Sequence, residues 1–165
     1  MTSQLIGQLH TWQLFVDGAS RNNPGPAGAG IYVRKENKPV LQAGFYLGTK
    51  TNNQAEYLAL LLGLLSLRDL LAHSEHPGQA RLEIISDSLL LIKQLQGEFR
   101  VKHPGIIPLH ACAQALLRQG PVYTAIHTLR HNNTHADALA NAGIDKKIMP
   151  PTHFMDSLAQ YGITL

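Results

Sequence analysis

The feature that most constrains the fold is a change in hydrophobic period near residue 53. Before it, residues 12–18, 29–35 and 39–48 are short apolar segments separated by turn formers, which predicts three antiparallel strands. After it, residues 53–71 are rich in leucine and contain no proline, which predicts one long helix buried on most sides. A chain that begins in this way needs a sheet against which the apolar helix can pack.

The rest of the chain alternates between strands and helices. Residues 81–86 and 122–129 are predicted strands, and residues 88–96, 106–119 and 135–147 are predicted helices. The predicted order is therefore βββαβααβα, because the three antiparallel strands are followed by strands separated by helices. This order is typical of an α/β fold with a mixed sheet and helices packed against it.

The chain length predicts a single domain. A chain of 165 residues can bury a core of its own, and no internal repeat or low-complexity tract divides it. We assign residues 1–147 to this domain and residues 148–165 to a C-terminal tail. The tail begins around two prolines, and two structures are possible for it, a short appended helix or a mobile segment.

Composition indicates the compartment and excludes some classes of protein. The single cysteine, Cys112, excludes an intrachain disulfide and indicates a reducing compartment. The N-terminal residues show no secretory signal pattern, and the apolar run Leu58–Leu67 is too short to span a bilayer. We expect a soluble cytoplasmic protein that is monomeric and has no membrane partner. Its formal net charge of +3 is compatible with a polyanionic partner.

Four acidic residues stand at strand ends or helix starts. They are Asp17 in LFVDGAS, Glu56 in TNNQAEY, Asp87 in IISDS and Asp137 in THADALAN, within a chain that has only 11 Asp plus Glu. If the fold brings them together, they must either take up protons or bind metal. Magnesium prefers such oxygen ligands and leaves positions open for substrate phosphate. That is the chemistry of phosphodiester cleavage.

Each acid alone also has an ordinary structural interpretation. Asp17 can mark the exit of a strand into a turn, and Asp87 can be the N-cap of the following helix. Glu56 can be the capping partner of Asn53, and Asp137 fits a capping box at the start of the last helix. On local pattern alone we favour capping for Glu56. The joint occurrence of all four acids in this order of elements supports the metal interpretation.

Four segments resemble the type 1 ribonuclease H family. They are FVDGASRNNPGPAG, TNNQAEYLAL, IISDS and LRHNNTHADALANAG, and the match in which they lie runs from about Trp12 to Lys147. The similarity is greatest to the compact archaeal and bacterial subgroup that also occurs as reverse-transcriptase-like domains. The resemblance implies a five-stranded mixed sheet of the ribonuclease H type, with three antiparallel strands, then parallel strands, and helices on both faces. It also implies hydrolysis of the RNA strand of RNA–DNA hybrids.

The resemblance implies particular roles for particular residues. Two magnesium ions, for which manganese can substitute, are expected on Asp17, Glu56, Asp87 and Asp137, giving 5′-phosphate and 3′-hydroxyl products. By their positions in the matching segments, four residues are expected to contact the hybrid: Asn23, Thr51, Asn53 and Gln54. Amide side chains suit the minor groove, where the 2′-hydroxyls of the RNA strand lie. Turn and cap chemistry also suits these residues, and both roles can hold at once.

The resemblance is incomplete at three places. The loop HNNTHA is shorter than the Gly-rich loop in which many members carry a histidine for product release, and Arg130 or His131 is expected to take that role. The span from Asp87 to Val122 is too short for the basic protrusion of long bacterial members. Leu89 stands where many relatives have a polar substrate contact. These differences imply a weaker grip on the substrate and not a lost reaction.

Two other functions stay open at this point. One is a non-catalytic nucleic-acid binding module on the same fold, against which the presence of all four acids argues. The other is a related nuclease for branched DNA or double-stranded RNA, against which the Asn-rich segments argue. The sequence does not choose between magnesium and manganese, and it gives no cleavage-site preference.

Overall fold

The computed structural model describes residues 7–165. The first six residues of the predicted domain, which also belong to the N-terminal segment without a signal pattern, lie outside the described residues. The strands are β1 His10–Ser20, β2 Gly25–Lys35, β3 Lys38–Lys50, β4 Ala80–Ser86 and β5 Val122–His127. The helices are α1 Asn52–Ala72, α2 Leu89–Leu95, α3 Ile107–Gln119, α4 Thr134–Lys146 and α5 Thr152–Ala159, with short 3-10 turns at Pro77–Gln79 and Arg130–Asn132. The predicted order of the first nine elements is confirmed.

The sheet has five strands in the order β3-β2-β1-β4-β5. β1 pairs with β2 and β2 with β3 in antiparallel fashion, whereas β1 pairs with β4 and β4 with β5 in parallel. The hairpin between β2 and β3 turns at Glu36 and Asn37, which both have positive φ, as the tight turns of twisted hairpins require. The prediction of a mixed sheet, with antiparallel strands first and parallel strands after them, is confirmed.

Helices cover both faces of this sheet, as predicted. Gly63 of α1 lies against Leu14 and Val16, whose side chains share one face of β1. On the opposite face, Gly28 and Gly30 of β2 lie against the backbone of α4. The Leu-rich helix α1 is therefore the centre of the core on its face, and every residue from 57 to 67 within it is buried.

Two predicted boundaries are wrong for reasons of pairing. The sequence predicts a loop across SRNNPGPAG, but β2 already begins at Gly25, which pairs with Lys50 of β3. Cross-strand hydrogen bonds here outweigh the local preference for a turn. β5 ends at His127 rather than at residue 129, since the β4 strand beside it ends at Ser86, directly opposite His127.

The C-terminal residues form the helix α5, which packs against α1. Phe154 and Leu158, spaced by four residues, are buried in the main core. At the surface, His153 Nε2 lies 2.8 Å from Asp69 Oδ2 of α1. The assignment of residues 1–147 and 148–165 to domain and tail stays a prediction. Within residues 7–165, no helix has the length and apolar character needed to cross a membrane.

Candidate active site

A glycine in β1 allows the start of α1 to reach the sheet. Asp17 lies near the end of β1 with 6% of its surface exposed, and Gly18 follows it. A Cβ at Gly18 would lie 2.2 Å from backbone atoms of Ala55 and Glu56, so only glycine permits this contact. The first turn of α1 therefore rests directly on the β1 backbone. This contact brings Glu56 next to Asp17.

A second glycine does the same for α4 on the opposite face. Gly30 of β2 lies directly across from Asp17 in the antiparallel pair. A Cβ at Gly30 would lie 1.8 Å from the carbonyl oxygen of Ala136, in the first turn of α4. Asp137 is the next residue of that turn. The backbone approach at Gly30 thus places a fourth carboxylate near the end of β1.

Three of the four predicted acids converge. Asp17, Glu56 and Asp87 each offer a carboxylate oxygen, and these oxygens lie within 4.8 Å of one another. Asp137 is outside that group; its side chain is 36% exposed and lies 3.6 Å from Arg130 Nη2. The structure therefore brings together three predicted ligands and places the fourth, half-exposed, at the rim.

The buried acids have strongly perturbed pKa values. Burial, and then the charges of Asp87 and Asp137 and a hydrogen bond with Asp87, raise the pKa of Asp17 to about 8. Burial, and then the charges of Asp17 and Asp87, raise the pKa of Glu56 well above its usual value, against the opposing hydrogen bond from Gly18. Without a cation these shifts favour the protonated form of both carboxyls. A divalent cation is the alternative means of stabilising their charge.

One carboxylate oxygen of the cluster has no hydrogen-bond partner in the described part of the chain, and this feature bears on whether the residues fit a metal ion. Glu56 Oε2 is buried and has no hydrogen-bond partner among the described residues. Leaving a buried carboxylate oxygen without a partner costs free energy, and an ion at this point would remove that cost. Three converging carboxylates supply the hard oxygen ligands that magnesium and manganese prefer. The residues present therefore fit a divalent cation held by Asp17, Glu56 and Asp87.

Comparisons with known proteins agree with this geometry. Residues 15–143 match the model of the family described as reverse transcriptase-like.

The chain belongs to this family.

A sequence relative is the bifunctional protein Rv2228c of Mycobacterium tuberculosis, 36% identical over 131 residues, which are 78% of this chain and 34% of that protein. Ribonuclease HI of Halobacterium salinarum is 36% identical over 140 residues, which are 84% of this chain and 65% of that protein. The chain thus spans about a third of the mycobacterial relative and less than two thirds of the halobacterial one.

Two solved structures of ribonucleases H1 have the same fold as this chain. Ribonuclease H1 of Halobacterium salinarum has a TM-score of 0.75 and 34% identity, covering 82% of this chain and 98% of that one. LC11 ribonuclease H1, solved in complex with an RNA/DNA hybrid, has a TM-score of 0.74 and 31% identity, covering 83% of this chain and 97% of that one. The predicted membership of the type 1 ribonuclease H family is confirmed.

The capping role that the sequence favours for Glu56 is wrong. The N-cap of α1 is Thr51 and not Asn53. Thr51 Oγ1 accepts from the Gln54 backbone N–H at 3.2 Å, and Gln54 Oε1 accepts from the Thr51 N–H at 3.0 Å. This capping box lies two residues earlier than the predicted one, so Glu56 takes no part in it. Its carboxylate remains available to the cluster.

The capping roles of the other two acids are also wrong. Ser88, not Asp87, is the N-cap of α2 and accepts from the N–H of Leu91. Asn133 precedes α4, and the structure shows no side-chain capping hydrogen bond there for Asp137 to complete. The ordinary interpretation therefore fails for three acids of this ribonuclease H-type chain. Local capping explains none of these three carboxylates.

The residues predicted to contact substrate lie together at the start of α1. Asn23 Oδ1 accepts from the backbone N–H of Asn52 at 2.9 Å, which ties the turn after β1 to this helix. Thr51 and Gln54 form the capping box beside it, and Asn53 is exposed. Arg130, with 83% of its side chain exposed, lies at the rim next to Asp137.

One residue of the site was missed by the sequence interpretation. Asn133 is 2% exposed, and its Nδ2 donates to Val16 O at 3.0 Å and lies 3.4 Å from Asp87 Oδ1. It stands within the polar segment HNNT, which resembles an ordinary loop. The available signal was its position four residues before Asp137, one helical turn away.

Proposed function

We propose that this protein is a ribonuclease H that hydrolyses the RNA strand of RNA–DNA hybrids. The observation that supports this proposal most strongly is the convergence of Asp17, Glu56 and Asp87, with the buried Glu56 Oε2 lacking a partner. The activity of the relatives named ribonuclease H, and the hybrid bound by LC11 ribonuclease H1, agree with it.

The reaction is metal-dependent in this proposal. Asp17, Glu56 and Asp87 would hold two magnesium or manganese ions, with Asp137 completing the set from the rim. When bound, such a pair of ions supplies charge stabilisation for both the attacking and the leaving oxygen of an in-line displacement at phosphorus. The expected products carry 5′-phosphate and 3′-hydroxyl ends. The raised pKa values of Asp17 and Glu56 imply that proton release accompanies metal binding.

The predicted substrate residues present donors to the solvent. The acceptor oxygens of Asn23, Thr51 and Gln54 are each used by a backbone N–H at the start of α1. Each oxygen thereby engages one of its two lone pairs, while the side chains keep their donors, an amide NH₂ on two of them and a hydroxyl proton on the third. Phosphate oxygens and minor-groove base edges are acceptors, so a donor-rich surface suits a nucleic-acid duplex. We propose that this surface, with the exposed Asn53, contacts the hybrid.

Cleavage of an end-labelled hybrid tests the proposal. We expect the wild-type protein to cut the RNA strand with Mg²⁺ or Mn²⁺, and Asp87→Asn to lower kcat by about a thousandfold, the several kcal/mol that metal catalysis supplies. Asp156→Asn, on the exposed side of α5, is the matched control and should keep wild-type activity.

Duplex RNA and duplex DNA, tested beside the hybrid, separate this proposal from the alternatives. A wild-type protein that leaves the hybrid intact with both metals contradicts the proposal. Binding that persists in chelator without turnover would indicate a non-catalytic module instead. A monomeric state, a cytoplasmic location and a domain of residues 1–147 stay predictions from the sequence.

A further inference from the structure

One buried amide connects the elements that carry three of the acids. The side chain of Asn133 donates to the carbonyl of Val16, the residue before Asp17, and also lies in hydrogen-bond range of Asp87 Oδ1. Its backbone carbonyl accepts from the N–H of Asp137 at 3.1 Å. A single residue thus contacts β1, the end of β4 and the first turn of α4 at the points where they approach one another.

The chemistry of the contacts requires a neutral donor at this position. Both groups facing Asn133 Nδ2, the Val16 carbonyl and the Asp87 carboxylate, are acceptors. A carboxylate in place of the amide would face them with a further negative oxygen, which is unfavourable in a buried setting. An apolar side chain would leave the Val16 carbonyl without its side-chain donor. The amide satisfies both acceptors without adding charge.

The other end of the amide is costly to the folded state. Asn133 Oδ1 is buried and has no hydrogen-bond partner among residues 7–165. An unpaired buried polar atom costs about 1–3 kcal/mol, so packing alone does not explain an asparagine here. Such groups in folded proteins call for a further explanation, of which a role in the site is one.

We propose that Asn133 is a positioning residue for the nuclease reaction. Its Nδ2 fixes the carboxylate of Asp87 relative to β1, and its carbonyl fixes the turn that carries Asp137. The ligand oxygens thereby keep one relative arrangement before metal enters. This inference rests on the proposed function, because the acids that Asn133 orients are those proposed to bind metal.

The test compares Asn133→Ala with Asn132→Ala, the exposed neighbour of the same residue type in the same loop. The dissociation constant of Mn²⁺ is measured by calorimetry without substrate, and kcat is measured on a hybrid at a temperature where circular dichroism shows each variant folded. We expect Asn133→Ala to weaken Mn²⁺ binding and to lower kcat, each by about 10–100-fold, as for other groups that orient metal ligands. Asn132→Ala should match the wild type in both.

A second variant keeps the test decisive if the alanine variant does not fold. Asn133→Ser retains one hydroxyl donor and should recover part of both losses. If a folded Asn133 variant has a lower Tm but binds Mn²⁺ and cuts the hybrid like Asn132→Ala, the residue is only structural and the inference is overturned. If instead the wild type itself does not cut, the nuclease proposal fails, and the Mn²⁺ constants still decide whether Asn133 orients the cluster.

Discussion

The helices α1 and α4 bring acids to the same strand end from opposite faces of the sheet, but into different environments. Both approach through a glycine, Gly18 for α1 and Gly30 for α4. Glu56 of α1 ends partly buried, with one buried, unpaired oxygen and a raised pKa. Asp137 of α4 ends half-exposed beside Arg130. The same structural device therefore gives one carboxylate that needs a cation and one that water stabilises.

This difference ranks the acids by what a cation changes for them. A buried carboxylate without a partner gains much from a bound ion, since the protein interior screens charge weakly. An exposed carboxylate already interacts with water and with a guanidinium, and it gains less. We infer that the buried acids bind the metal most tightly and that Asp137 adjusts the site from its rim.

The largest expected effect separates these two acids directly. Glu56→Gln should lower kcat on a hybrid by about a thousandfold, because it removes a charged ligand from the buried cluster. Asp137→Asn should lower kcat by about tenfold, within the range for groups at the edge of a metal site. Single-turnover cleavage at saturating Mg²⁺ measures both. Equal losses of kcat in the two variants would show that Asp137 is a full metal ligand, and the contrast between Asp137 and Glu56 would not hold.

The second variant disturbs the approach of α1 to the sheet without replacing any of the four acids. Gly18→Ala inserts a methyl group into the backbone of Ala55 and Glu56, so α1 must move away from the sheet. We expect a loss of about 3 kcal/mol in the free energy of unfolding, near the upper end for overpacking. In a domain of this size that loss lowers Tm by about 6–12 °C. Differential scanning calorimetry measures this change.

The control for that variant is another glycine-to-alanine change. Gly78 has open space around the position of a Cβ, so Gly78→Ala should leave Tm and kcat close to those of the wild type. Gly18→Ala should also lower kcat, since Glu56 moves with the helix. A Gly18→Ala protein as stable and active as the Gly78→Ala protein would mean that the approach of α1 does not position the site.

Sequence patterns predicted the fold because the signals that decide it are local and repeated. The apolar segments of the first three strands and the apolar run of α1 each extend over several residues, so single exceptions did not alter the prediction. Capping is different, since TNNQAE contains two overlapping boxes, Thr51 with Gln54 and Asn53 with Glu56. The box that forms is that of Thr51 with Gln54. The start of the helix also contacts Gly18, which is distant in sequence, so the local pattern does not contain all the contacts that fix this helix end.

Distance along the chain also explains why Asn133 was missed. Its two side-chain partners are 117 and 46 residues away, so no local pattern connects them. The acids could be found because their residue type is rare in this chain and because each stands at the end of a predicted element. An asparagine in a polar loop has no such contrast with its neighbours. The tail helix had a usable signal in the spacing of Phe154 and Leu158.

The smallest expected effect is a pH dependence of the free energy of unfolding in the absence of metal, which arises from the burial of the acids. Burial, and then the charges of Asp87 and Asp137, raise the pKa of Asp17 from 3.8 to about 8, and the pKa of Glu56 shifts in the same direction. A carboxyl with a higher pKa in the folded chain holds its proton more tightly there than in the unfolded chain. The contribution of Asp17 to the free energy of unfolding is therefore fully present below pH 3.8 and is lost as the pH rises toward about 8.

Replacing the buried acid should remove much of this pH dependence. In chelator at about pH 8, Asp17→Asn should be more stable than the wild type by about 2 kcal/mol, and the gain should shrink toward about pH 4. Urea unfolding across this range measures the difference, with Asp156→Asn as the control for charge loss on an exposed surface. Added Mg²⁺ should reverse the order at high pH, because it stabilises only a protein that keeps its ligands. A variant no more stable than the wild type at any pH would show that the acid cluster at the end of β1 carries no electrostatic strain, and the contrast with Asp137 would then be one of position alone.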